Sequence, residues 1–428
     1  MKIVFYLLIV SISVFATTLD ELTQYAMHHS TAIKQGQAQI DLSELKRKES
    51  HVQQYGELNL VGDYTHYNTA RTLAPLTPTS LGAGVPITTS KDIFYAGASY
   101  AVPLFTGYAQ TRQIEISNIA KQMSDAKMKL TKEQLVYNVR SLYVSVLAQR
   151  EILQAQISYM KALTTLRKQI AYEVELGKKA TIDLLKAKSN EQSAQTQVEV
   201  LKNNIEITKA TLSALVGKKV GKLKSLKINV TKPQYSINRL YAEANSLAKV
   251  KVEDMALHKA DKTIQKSEAS KLPQVNFSSF VGKNYGEDLE TNEWDNETLW
   301  QAGVNVKWNI VDFGKRDLSV QQAKIAKMEA TFKKEQTLLD LHKLLTQAVS
   351  KIKQSYAEYL GNISQLKLSK KSEKIEEVRY KNDVSTLNDL FLAKSQTQLV
   401  RAKMIESRYS YQKSKYYLEY LLERGVNE

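Results

Sequence analysis

Hydrophobic and polar positions follow two different periods along this chain, and the periods occupy separate stretches. Over 299–310, Trp300, Ala302, Val304, Val306, Trp308 and Ile310 alternate with Leu299, Gln301, Gly303, Asn305, Lys307 and Asn309. A period of two predicts a strand with one apolar and one polar face. Residues 94–104 repeat the pattern more faintly, with Phe94, Ala96, Ala98, Tyr100, Val102 and Leu104 on one side. A strand over 57–67 is weaker, because Asp63 and Thr65 share a face with Val61. Elsewhere the apolar positions step by four and three. Ala194, Val198, Leu201, Ile205, Thr208, Leu212 and Leu215 form one such seam. Leu338, Leu341, Leu345, Val349, Ile352, Tyr356, Tyr359, Ile363 and Leu366 form another. A seam this narrow suits helix-on-helix packing at a crossing angle of about +20°.

The predicted elements occur twice. A helix over 19–54 is followed by a hairpin over 57–105, with a loop containing Pro75, Pro78, Gly82, Gly84 and Pro86. After Gly107 there is no Gly or Pro until Gly177, enough for a helix of roughly 100 Å. A second helix over 237–271 stops at Pro273, and a hairpin over 274–311 follows, with strands at 274–284 and 298–311. Another long helical run then reaches a turn near 382, with Gly361 its only weak point. Local identities confirm the duplication. Asp183-Leu184-Leu185-Lys186-Ala187-Lys188-Ser189 lies on Asp389-Leu390-Phe391-Leu392-Ala393-Lys394-Ser395, and Leu104-Phe105-Thr106-Gly107 lies on Val311-Asp312-Phe313-Gly314. The expected organisation is a signal peptide over 1–16, a first repeat over 17–217, a connector over 218–236 and a second repeat over 237–428.

The signal peptide rests on Met1-Lys2 as a positive start, the apolar run Ile3 to Phe15 and the small Ala16, features of an export signal rather than of a membrane anchor. The chain has no cysteine, which removes disulfides and thiolate metal sites. Its 428 residues carry a net charge of +16, which raises anionic partners. The lysines spread over polar helix faces without interleaved aromatics, and an export signal argues against nucleic acid. The mean hydropathy of −0.36 excludes a bundle of membrane-spanning helices. Catalytic readings fail: the six histidines show no ligand spacing beyond His28-His29, and no phosphate loop, nucleophile elbow or H-E-x-x-H motif is present. No enzyme activity, cofactor or metal is expected.

Alternating strands with tryptophan near both ends suit a lipid-facing barrel. The alternative is a soluble periplasmic coiled-coil scaffold whose hairpins form a small half-buried sheet. Four strands cannot close a barrel, since the smallest membrane barrels have about eight. An open edge in lipid leaves backbone groups unpaired. A membrane-spanning version of this chain must therefore pair its strands with other copies.

With these features, helix, hairpin and helical hairpin given twice, the chain resembles the TolC family of outer-membrane efflux proteins over essentially its whole mature length. The turn Gly177-Lys178-Lys179-Ala180-Thr181-Ile182-Asp183-Leu184-Leu185 carries the resemblance further. It implies an α+β membrane protein and a homotrimer, in which two hairpins per chain build one 12-stranded outer-membrane β-barrel. A long periplasmic α-helical coiled-coil barrel continues it. It implies a passive exit duct of a tripartite efflux or type I secretion system, whose partners are a periplasmic adaptor, an inner-membrane transporter and outer-membrane lipid. By the same resemblance, Asp183 and Tyr380 match a latch that closes the periplasmic tip, and Ser385 stands where an arginine is expected. Asp389 matches a cation-selective constriction, whose second carboxylate falls on Leu392. An aspartate near a helix start is also an ordinary cap. Gly177, Lys178, Lys179, Asn382 and Asp383 match the adaptor-contacting tip, with Lys381 beside them. Gly177 is expected to supply a left-handed turn, and Asn382-Asp383 to replace it in the second copy. Glu287, Asp288, Glu290, Glu293, Asp295 and Glu297 suggest an acidic loop at the barrel mouth.

Overall fold

The structure is a computed structural model that describes residues 17–82 and 87–426, without the side chain of Ser80. The signal peptide expected over 1–16 lies outside the described residues, as do Gly84 and Pro86 of the first hairpin loop. The chain divides into two compact units, and each draws on both repeats. The first comprises residues up to 38, 126–251 and from 335 onward; the second comprises 39–125 and 252–334.

The second unit is built on one antiparallel sheet. Its strands, β1 (Glu57–Thr72), β2 (Thr89–Phe105), β3 (Gln274–Glu287) and β4 (Trp294–Lys307), pair in sequence order. Strand register gives the sheet two distinct faces. Leu60, Ala98, Val281 and Trp300 stand in one row, and Val102, Phe277 and Val304 in another on the same face. The opposite face carries rows such as Asn59, Ser99, Phe280 and Gln301. The ring of Phe280 packs against Gly97 and Gly282, where an added Cβ would come within 2.4 and 2.3 Å of it and about as close to the backbone oxygens of Val281 and Ala96, so both positions require glycine. Register also resolves β1, whose apolar side is formed by Leu58 and Leu60, while Asp63 and Thr65 belong to the polar side. Leu60 is 90% exposed and Trp300 78%, so the apolar face is uncovered within one chain.

Three hairpin expectations are corrected. The fourth strand runs from Trp294 to Lys307 rather than over 298–311, so Trp308 and Ile310 lie beyond it. The Trp308 indole instead donates to the Lys271 carbonyl at 3.1 Å. Trp294 and Trp300 are thus the two tryptophans on one strand face. Of the expected acidic loop, Glu287 ends β3 and Asp295 and Glu297 lie in β4, leaving Asp288, Glu290 and Glu293 in the turn. The first loop also contains a short helix, α3 (Pro78–Gly82).

The helix expected over 19–54 is split into α1 (Leu19–His29) and α2 (Thr31–Val52), followed by one 3-10 turn. Ser30 adopts extended backbone between them (φ −61°, ψ 138°). Serine favours caps over helix interiors because its hydroxyl competes for backbone groups. The buried series Leu22, Ala26 and Ile33 continues across the break and hides it from periodicity. The helix expected over 237–271 is likewise split into α6 (Ile237–Ala244) and α7 (Ala248–Ala269). Ser246 bonds back to the Glu243 carbonyl at 2.8 Å. The Glu423 carboxylate, from the far end of the chain, accepts from the Ala248 and Lys249 amides at 2.8 and 3.0 Å.

Two helical hairpins follow the strand pairs, α4 (Ala109–Glu175) with α5 (Thr181–Val216), and α8 (Lys315–Lys381) with α9 (Leu387–Leu421). Their parts from 126 and from 335 onward belong to the first unit. On the α5 seam Ala194, Val198, Ile205 and Leu212 are buried, joined by Ala187 and Val216, while Leu201, Thr208 and Leu215 are half-buried. On α8, Leu341, Leu345, Val349, Ile352 and Leu366 are buried, but Ile363 is 42% exposed. One core gathers Leu341, Leu345, Val349 and Ile352 against Leu240, Tyr411 and Leu418. A second core lies beside the hairpin turns, with Leu163, Ile170, Ala187, Tyr380, Leu387, Leu390 and Phe391.

Candidate functional site

The expected site residues all belong to the first unit and fall on the two hairpin turns. The turns have the same backbone. At the first, the Gly177 amide donates to Val174 O at 2.9 Å and the Lys178 amide to Glu173 O at 2.8 Å. At the second, the Asp383 amide donates to Tyr380 O at 3.1 Å and the Val384 amide to Arg379 O at 2.9 Å. Each pair satisfies two orphan carbonyls at a helix C-terminus around one left-handed residue. Those residues are Gly177 (φ 71°) and Asp383 (φ 55°). Of the expected Asn382-Asp383 pair, Asp383 takes the left-handed position. Asn382 uses its side-chain amide on Val378 O at 2.9 Å.

The helices that leave the turns begin differently. Thr386 caps α9: its hydroxyl accepts from the Asp389 amide at 3.2 Å and donates to the Asp389 carboxylate at 2.7 Å. The Thr386 amide donates to the same carboxylate at 3.1 Å, completing a reciprocal capping box. The Thr386 hydroxyl and amide hold the Asp389 carboxyl below its ordinary range. At the matching start of α5 the cap position is Ala180, with no side-chain bond. Asp183 therefore lacks the clamp that fixes Asp389.

Asp389 faces an exposed groove of about 640 Å³ shared with Glu376, Arg379, Leu392 and Gln396. Arg379 bonds Glu376 at 2.9 Å and is the cation nearest in effect to Asp389. Asp389 is thus both a helix cap and an exposed charge, with the apolar Leu392, 70% exposed, beside it.

Asp183 and Tyr380 are not brought into hydrogen bond. Tyr380 is 6% exposed and its buried hydroxyl has no partner; burial pushes its pKa up. The Ser385 hydroxyl is also buried without a partner. The contact that joins the two turns is one sequence reading missed. Lys179 Nζ donates to the Asp383 carboxylate at 2.6 Å and lies 4.9 Å from the centre of the Tyr380 ring. The hydrogen bond to Asp383 raises the Lys179 pKa. Its signal in sequence is faint, a lysine two residues past the glycine in one repeat and an acid at the glycine position in the other. Lys178 and Lys381 remain exposed.

The profile of the outer membrane efflux protein family matches residues 22–218 and 237–422. The chain belongs to that family. This sets aside the soluble scaffold and places the protein in the outer membrane, with a periplasmic helical extension. Its fold, internally duplicated with two hairpins and two long helical hairpins per chain, recurs in solved outer-membrane channels. The outer membrane protein VceC of Vibrio cholerae is 13% identical, with a TM-score of 0.78 over 94% of this chain and 95% of that one. The CmeC channel of Campylobacter jejuni is 15% identical, with a TM-score of 0.77 over 95% and 86%. The MtrE channel of Neisseria gonorrhoeae is 15% identical, with a TM-score of 0.75 over 95% and 89%. At such identities the likeness is one of fold. No curated sequence matches the chain. Among the described residues no cluster of three His, Asp or Glu could hold a metal ion, and no helix is long and apolar enough to cross a membrane.

Proposed function

We propose that this family member is a passive homotrimeric duct whose copies pair β1 and β4 into one 12-stranded barrel. It serves a tripartite efflux or type I secretion system, receiving solutes from an inner-membrane transporter through a periplasmic adaptor. The observation that carries the reading is the sheet, whose edge strands β1 and β4 each have one side without a partner strand among the described residues and which exposes Leu58, Leu60, Trp300, Val304 and Val306 on one face. Open strand edges are not tolerated in lipid, and an uncovered apolar face is costly in water. Both are resolved when copies close a barrel in the outer membrane.

In this reading the two turns form the tip that meets the adaptor, with Gly177, Lys178, Lys179, Asn382 and Asp383 at its surface. The tie between repeats at the tip runs through Lys179, Asp383 and the Tyr380 ring, with Asp183 left free. Three Asp389 carboxylates, one per copy, concentrate cations at the narrowest point. Arg379 in the same groove moderates that field.

The test is single-channel conductance of the purified protein in a planar bilayer, wild type beside Asp389→Ala. The expected result is a small cation-preferring conductance whose preference falls in the variant. Unchanged selectivity removes Asp389 from the constriction, and a folded sample that never inserts a channel removes the duct.

A further inference from the structure

We propose that the segment joining the two repeats is a docking strap for the carboxylate-bearing peptide-and-glycan polymer of the periplasmic wall. The proposal rests on the placement of the helical unit in the periplasm. Residues 217–236 contain Lys218, Lys219, Lys222, Lys224, Lys227 and Lys232 and no Asp or Glu. This one segment thus carries six charges of an excess of +16. All six lysines are exposed, and none forms an ion pair among the described residues. Lys218 makes only a ring contact, 3.8 Å from the centre of Tyr25.

The segment has no helix or strand of its own, yet it is held in place. The Thr17 amide donates to Lys222 O at 2.9 Å, and the Lys224 amide returns a bond to Thr17 O at 3.1 Å. The Tyr143 hydroxyl donates to Lys224 O at 2.6 Å and Arg150 to Leu223 O at 2.9 Å. Further along, the Tyr411 hydroxyl donates to Thr231 O at 2.8 Å. Val220 and Leu223 are buried at 7% and 2% exposure. Backbone carbonyls and apolar side chains face the protein, so the lysines are left on the outside of a pinned segment. The acids whose charges reach this region include Asp20 and Glu21 of α1, felt at Tyr143, and Glu419 of α9, felt at Tyr235. The Glu21 carboxylate is occupied by the Thr18 amide at 3.0 Å and that of Glu419 by Arg140 at 3.2 Å.

The chemistry of the strap selects its partner. A folded protein is held by apolar and aromatic anchors at the centre of an interface, and no large apolar side chain between 217 and 236 is exposed. What the strap offers is a line of flexible, strongly hydrated point charges. Such a line matches a polymer that repeats carboxylates along its length, and the wall polymer is the one that fills the periplasm. Ordering the segment in advance lowers the entropy lost on binding.

The experiment is cosedimentation of the purified full-length protein with isolated peptidoglycan sacculi, at low salt and at about 0.5 M salt, where charges are screened beyond a few ångströms. Two variants are compared: one with all six strap lysines changed to Gln, the other carrying K324Q, K333Q, K353Q, K367Q, K370Q and K371Q on α8. The wild type and the α8 variant should pellet alike. The strap variant should lose at least about fivefold of its binding, and salt should abolish binding of the wild type. Sacculi whose carboxylates have been amidated should fail to retain the wild type, a readout that does not depend on any variant folding. Equal loss in both variants, retention on amidated sacculi, or binding only to phosphate-rich lipopolysaccharide micelles overturns the proposal. Bilayer conductance of the strap variant should match wild type, so failure of the docking and failure of the duct are read separately.

Discussion

The two hairpin turns share a backbone and differ in nearly everything their side chains do. At the second turn Leu387, Leu390 and Phe391 are buried at 4%, 1% and 6% exposure; at the first, Leu185, which matches Phe391, is 55% exposed. The second turn has a capping threonine and a clamped aspartate, whereas the first has Ala180 and an unclamped Asp183. The first has glycine in the left-handed position, whereas the second spends an aspartate there and uses its carboxylate to hold Lys179. Duplication copied the bonds that terminate a helix, which are backbone bonds indifferent to side chains. Burial and capping diverged because the two copies pack against different surroundings.

Substitutions at the turns can break or sharpen this contrast. The largest effect is expected from Phe391→Ala, a loss of about 3–5 kcal/mol for a buried aromatic. Leu185→Ala at the matching position should change stability by less than about 0.5 kcal/mol. Thermal unfolding in detergent, read by circular dichroism, separates the two, and similar losses would mean that the α5 start is buried too. Gly177→Ala places a Cβ on a left-handed residue and should cost about 1–2 kcal/mol. Asp383→Gly removes that penalty at the second turn but also frees Lys179, so its net change should be smaller than that of Gly177→Ala.

Capping gives the next effect. Thr386→Ala should cost about 1 kcal/mol, and Ala180→Thr should recover a comparable amount at the first turn. Hydrogen exchange of the first-turn amides of α9 and α5 reports each cap locally, and no change in either would dismiss the capping contrast. The smallest effect concerns the link between the turns. A double-mutant cycle of Lys179→Met with Asp383→Asn should give a coupling below about 1 kcal/mol, since Asp383 is largely exposed. The Lys179 pKa is raised above 10.5. The stability this link contributes is therefore fully present below that pH and lost as pH rises through the folded value. Asp389 runs the other way. Its carboxyl is held below 3.8, so the contribution of the clamp persists above that pH and fades only as acid titrates it lower. A coupling that persists above the raised lysine value would show that it does not depend on the lysine charge, which removes the ion pair from the link.

Much of the fold was legible because its signals are local. Gly177 and the absence of breakers after Gly107 set the ends of α4, and the alternation of β2 and β4 marked them as two-faced strands. The breaks at Ser30 and at 245–247 were not legible, since buried positions keep their phase across the first and Glu423, a distant side chain, caps the helix after the second. At the turns, residue type identified Gly177 and Asp389 as turn and cap. It could not show that Lys179 reaches across to Asp383, or that Tyr380 is left without a hydrogen bond.

The sequence by itself determined the duplication, the two periods and the helix-ending turns, because each depends on residues within a few positions of one another. Tertiary structure alone decided which rows of side chains line each sheet face, which turn is buried, and which lysines stand free on a pinned strap. Those outcomes depend on register and on partners more than a hundred residues away, and the local pattern carries no information about either.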